Sequence, residues 1–154
     1  MNKFPALCLL VVSCAHAKGP DLEREKQKIL AVESLQRKYH LAKDATSFVN
    51  LFSDHFLSMS NGRVDSPSRR ESIKRFDQYF QKVQFVKWDD SKSPVIRFSD
   101  DGTIAYVVVQ KRVITRQADS REVDSQDTTD FAWLTVYKNT ESGWKIDCVV
   151  STNK

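Results

Sequence analysis

The chain reads as an α+β domain, with helices first in the sequence and packed on one face of an antiparallel sheet. Three observations carry that expectation. Apolar residues recur at steps of three and four up to about Val83, then at steps of two from Gln84 onward. Turn signals at Asn61-Gly62, Asp101-Gly102 and Glu141-Ser142-Gly143 divide the chain at hairpin-like intervals. With 154 residues, 40% of them hydrophobic and only 4 Gly and 4 Pro, the composition suits one ordered domain and excludes collagen-like or low-complexity classes.

The first residues are an address. Lys3 precedes the apolar run Phe4 to Val12, which is far shorter than the roughly 20 residues a membrane-spanning helix needs. Two cleavage sites are open over residues 1–17. Ala15-His16-Ala17 fits release after Ala17, whereas Val11-Val12-Ser13-Cys14 resembles a lipobox cut before Cys14, whose thiol would be lipidated. The protein is therefore expected to be exported, as a periplasmic or membrane-anchored lipoprotein or as a soluble secreted protein. Any membrane attachment would run through Cys14 alone. Of the 3 cysteines, Cys8 leaves with the leader, Cys14 is lipidated or lost, and Cys148 remains without a disulfide partner. The net charge of +4 includes Lys3, and the rest is spread evenly, so nucleic acid is not an expected partner.

Residues 18–28 form a charged lead-in, and the domain proper is expected over 29–152. A first helix runs from Leu22 to about Lys43, with Leu22, Ile29, Val32, Leu35, Tyr39 and Ala42 on its apolar face. Asp44 suits the N-cap of a second helix from Ala45 to about Leu57, in which Phe48, Leu51, Phe52, His55 and Phe56 share a stripe. Asn61-Gly62 turns between two short extended pieces. Ser68 and Glu71 form a capping box for a third helix carrying Ile73, Phe76, Phe80 and Val83. Strands follow at 85–88, 95–98, 103–117, 128–138 and 144–151, with a polar loop over 118–126. In the central strands both parities are apolar: Ile104, Tyr106 and Val108 alternate with Ala105, Val107 and Val109. One face goes to the helices, so the other needs its own cover, and a homodimer packed sheet to sheet supplies it.

This order of elements resembles the nuclear transport factor two-like superfamily, and within it the SnoaL-like bacterial domains. The residues that carry the resemblance are the Phe48 to Phe56 run, Asn61-Gly62, the Arg70-Glu71-Ser72-Ile73 helix start, and the terminal Gly143-Trp144-Lys145-Ile146 with Ser151. The resemblance spans about Glu25 to Ser151. It implies a curved antiparallel sheet of about four to six strands wrapped on a long helix, a cone with an apolar pocket, and often a dimer. Relatives include isomerases, dehydratases and association domains, so the fold alone does not choose a function.

Candidate chemistry is sparse. His55, on the Phe48-Phe52 stripe, is a candidate base facing the cone, with Tyr39 as its partner; the other reading is a histidine bonded to carbonyls near a helix end. The family run is acidic where His55 stands. Tyr39, Phe52, His55 and Trp133 are the expected ligand-lining residues. Asp147 falls on the strand face opposite Trp144, Ile146 and Cys148, away from the pocket, and Cys148 reads as a small buried hydrophobe. No metal-ligand spacing, phosphate loop or nucleophile elbow is present, so no metal or cofactor is expected. The cluster Arg63, Arg69, Arg70, Lys74 and Arg75 reads as solvated helix surface. The expected function is a non-catalytic domain binding a small apolar ligand or a protein partner; the alternative is a small cofactor-free lyase or isomerase using His55 and Tyr39.

Overall fold

The computed structural model describes residues 19–117 and 126–153. The expected leader, Cys14 with it, and the polar loop up to residue 125 lie outside the described residues. Helix α1 (Leu22–Ala42) starts at Asp21, whose carboxylate accepts from the Arg24 N–H at 3.2 Å. It ends where Lys43 turns left-handed at φ 57°. Asp44 at once caps α2 (Ala45–Val49), accepting from the Ser47 N–H at 2.9 Å.

The second helix is far shorter than expected. The chain leaves α2 at Asn50 and becomes strand β1 (Phe52–Ser60), which turns at Asn61-Gly62 into β2 (Arg63–Asp65). The reason is arithmetic. Phe52 and Phe56 are four apart, a spacing that one face of a helix and one face of a strand both satisfy. Both are buried, and their rings stack at 4.0 Å, but on a strand. What decides between the two is β7 (Gly143–Asn153), along which β1 lies in parallel, with Ser58, Met59 and Ser60 opposite Val149, Val150 and Ser151. That pairing is long-range and has no local signature.

The capping box at Ser68 and Glu71 is formed and opens α3 (Arg69–Lys82). Val83, expected on that helix's stripe, instead begins β3 (Val83–Asp90). Then come β4 (Val95–Phe98), β5 (Ile104–Gln117) and β6 (Gln126–Thr140). The result is an α+β fold with helices on one side of a curved, unclosed sheet of seven strands, ordered β2-β1-β7-β6-β5-β3, with β4 also pairing with β5. It is mixed rather than wholly antiparallel, because β1 and β7 run the same way.

The inner face packs Ile29, Phe48, Phe52, Phe80, Val107, Tyr137 and Ile146 into one core. The outer face is apolar too. Register places Tyr106, Val136 and Cys148 in one cross-strand row, and Val95, Val108, Leu134 and Val150 in the next. Val95, Tyr106, Val108 and Leu134 are exposed.

Strand β7 departs from strict alternation at Asp147, an extra residue between Ile146, opposite Tyr137, and Cys148, opposite Val136. The bulge reverses parity. Trp144, Ile146 and Val149 are turned inward, and Cys148 joins the outer row rather than sharing the Ile146 face. Cys148 is half-buried rather than core, and partial burial beside the Asp147 carboxylate pushes its thiol pKa up.

Candidate functional site

The stripe that α1 buries is Glu25, Ile29, Glu33, Gln36 and His40, four of them polar. The apolar face expected from the sequence is only partly turned in: Ile29 is fully buried, Val32, Leu35 and Tyr39 are half-buried, and Leu22 and Ala42 are exposed. Burying polar groups is tolerated because the sheet supplies partners. Trp144 Nε1 donates to Glu25 at 2.8 Å. The Tyr137 hydroxyl donates to Glu33 at 2.7 Å and accepts from Gln36 Nε2 at 2.8 Å. Lys111, 3% exposed, lies 3.9 Å from Glu33, is ion-paired with Asp90, and sits 4.2 Å over the Trp88 ring. Burial pushes the Glu33 carboxyl up despite the Tyr137 bond and the Lys111 charge, and raises Tyr137 well above the usual phenol range.

Beyond this network a cavity of about 430 Å³ opens between the helices and the inner sheet face. Phe48, Phe52, Phe56, Phe76, Trp88 and Trp133 are among its apolar wall residues; Gln36, His40, Ser58, Ser72, Arg75, Tyr79, Thr135 and Ser151 bring polar groups to it. An aromatic pocket with a few convergent polar groups is the usual form of a small-molecule site.

His40 is its most distinctive wall residue. The ring is T-shaped to Phe48 at 4.4 Å and stacked on Trp88 at 4.4 Å. Nδ1 lies 2.8 Å from the Gln36 carbonyl, which can only accept, so Nδ1 carries the proton. Desolvation among these rings lowers the imidazole pKa from 6.5 to about 4, and His40 is neutral at physiological pH.

Of the residues expected to line a pocket, Phe52 and Trp133 do so. His55 and Tyr39 do not. On strand β1, His55 takes the parity opposite Phe52 and Phe56 and is exposed, beside the polar groove of Asp54, Arg69 and Lys145. Tyr39 packs half-buried at the edge of the core, with Lys38 above its ring. The proposed pair is therefore not brought together in the cavity. Asp147 accepts from the Ser53 hydroxyl at 2.7 Å, in the same outer groove as His55. Glu33, Gln36, His40 and Lys111 were not anticipated. For the three on α1 the one sequence signal is the polar series 25, 33, 36, 40 at helical spacing around Ile29; Lys111, on β5, has none. Among the described residues no group of three or more His, Cys, Asp or Glu is placed to hold a metal ion. No described helix is long and apolar enough to cross a membrane.

No family model matches the chain, and no curated protein matches it. Solved structures do. An NTF2-like (nuclear transport factor 2-like) protein from Cytophaga hutchinsonii is 17% identical, with 84% of this chain and 98% of that one covered at a TM-score of 0.66. The fold is NTF2-like. A ketosteroid isomerase-like protein from Erwinia carotovora atroseptica is 14% identical, covering 84% of this chain and 95% of that one at 0.66. An NTF2-like protein of unknown function in nutrient uptake from Rhodospirillum rubrum is 14% identical, covering 86% and 98% at 0.60. Identities this low establish shared architecture and leave activity open.

Proposed function

We propose that this chain is an exported, non-catalytic NTF2-like binding domain whose cavity takes a small apolar ligand and whose outer sheet face pairs with a second copy. The observation that carries the reading is the cavity: about 430 Å³, walled mainly by aromatic rings and backed by a buried polar network that fixes its shape. Export rests on the leader, and the anchor on Cys14. Dimerisation is supported by the two apolar rows on the outer face. The lyase or isomerase alternative needs His55 and Tyr39 in one cavity, and neither side chain reaches it.

The test is saturable binding of an uncharged fluorescent probe, N-phenylnaphthylamine, to the purified mature domain. One site per protomer is expected. Val149→Trp, which places a bulky ring in the cavity wall, should abolish binding while the circular dichroism stays native. Absence of saturable binding, or binding unaffected by Val149→Trp, overturns the proposal. Export and anchoring are read separately: Cys14→Ala should move the protein from the membrane to the soluble fraction.

A further inference from the structure

Two residues that line the cavity, one helical turn apart on α1, each carry a hydrogen-bond acceptor without a partner among the described residues. The first is Nε2 of His40. Because Nδ1 holds the ring's proton against the Gln36 carbonyl, Nε2 keeps its lone pair. The second is Oε1 of Gln36. The Tyr137 hydroxyl spends its proton on Glu33, so it must receive one from Gln36, which fixes the amide with Nε2 toward Tyr137 and Oε1 free. Both residues line the cavity and are 7% exposed. Neither acceptor atom has a hydrogen-bond partner among the described residues, and neither is sealed off. Only Arg116 Nε, among the described residues, is both buried and unpartnered.

Residues four apart on a helix place their Cβ atoms about 5–6 Å from each other, so the two acceptors can converge on one ligand group. The surroundings are aromatic: Trp88 stacks on the His40 ring and Trp133 lies 5.4 Å from Trp88. Among the described residues of the wall the cationic group is Arg75, which is exposed and already ion-paired with Asp65. An apolar ligand that displaces water from these acceptors leaves them unsatisfied, whereas one that brings a donor does not.

The geometry points to a ligand that is flat, uncharged and apolar and carries a hydrogen-bond donor, a phenol-type or alcohol hydroxyl, which His40 Nε2 and Gln36 Oε1 accept. This inference deepens the binding reading above and rests on it. Carboxylates and phosphates are excluded from this end, since they would set lone pair against lone pair. The hydroxyls of the other polar lining residues, Ser58, Ser72, Tyr79, Thr135 and Ser151, adapt to either role, so discrimination falls to the two α1 acceptors.

The test compares naphthol with the methoxynaphthalene of the same substitution pattern, which keeps the rings and loses the donor, by calorimetric titration of the wild-type domain. Naphthol should bind about fivefold to tenfold more tightly, the usual worth of one net hydrogen bond. His40→Phe keeps an aromatic wall and removes the acceptor; there the two probes should bind within about twofold of each other, the residual preference being what Gln36 retains. In the wild type, naphthol alone should shift the His40 Nε2 nitrogen resonance, a readout that needs no variant to fold. Equal binding of both probes, with the resonance unmoved, overturns the acceptor inference and leaves the cavity reading standing. Failure of both probes to bind overturns the two together.

Discussion

His40 lies nearly flat on Trp88, ring centroids 4.4 Å apart and planes 22° from parallel, while the Lys111 ammonium sits over the same indole at 4.2 Å. One tryptophan thus joins the cavity wall to the buried charge network behind it. Packing against the indole and against Phe48, Phe80 and Phe85 takes the imidazole out of water. Its neutrality and its free acceptor both follow from that burial.

The same burial makes stability depend on pH. His40 has a folded pKa of about 4 against 6.5 unfolded, so between these values the unfolded chain binds more protons. Stability from this group is present above pH 6.5 and is lost as pH falls toward 4, by about 3 kcal/mol in total. Glu33, whose pKa is raised, acts in the opposite sense above 4.5, so the wild-type curve is a sum. The His40→Phe variant isolates the first contribution. In urea denaturation from pH 4 to 7 the stability difference, wild type minus variant, should grow by about 3 kcal/mol as pH rises, while the Glu33 contribution is common to both.

Lys111 is the cation that Glu33 and Asp90 share. Lys111→Met keeps the packing on Trp88 and strands Glu33, which is 7% exposed. A loss of about 3–5 kcal/mol is expected by chemical denaturation, as when one member of a buried pair is removed. Adding Glu33→Leu should recover part of it, since the stranded carboxylate is then gone.

On the outer face, Leu134 stands opposite Val108 on one side and Val150 on the other. Leu134→Lys places a charge at the centre of the apolar rows. In sedimentation at micromolar concentration the wild type should run as a dimer and the variant as a monomer, with the fold unchanged. A wild type that is monomeric throughout argues directly against sheet-to-sheet association.

The capping box offers a control remote from the cavity. Ser68 accepts from the Glu71 N–H, and the Glu71 carboxylate accepts from the Ser68 N–H at 2.8 Å. Ser68→Ala should cost about 1 kcal/mol in urea unfolding and leave probe binding intact.

Much of the architecture was legible because its signals are local. Asp44 and Ser68 cap α2 and α3 as their side chains dictate, and Asn61-Gly62 and Asp101-Gly102 turn where φ must be positive, at 73° for Gly62 and 68° for Gly102. The alternation of Ile104 to Val109 divided β5 into two faces, of which the structure buries Ala105, Val107 and Val109. The aromatic lining was legible in part, through Phe52 and Trp133.

What needed the folded chain were three long-range decisions. Residues 52–60 became a strand because β7 offers them a ladder, and that moved His55 out of the cone. The bulge at Asp147 reversed the parity of the last strand, a one-residue slip that no hydrophobic pattern announces. The polar side of α1 was turned inward because Tyr137, Trp144 and Lys111, a hundred residues or so away along much of the chain, satisfy it. Sequence by itself determined the elements whose free energy is settled within a turn or a cap. Tertiary structure alone decided which faces α1 and the end of β7 bury and that residues 52–60 form a strand, because a polar group's cost of burial and a strand's ladder both depend on the partner waiting for them.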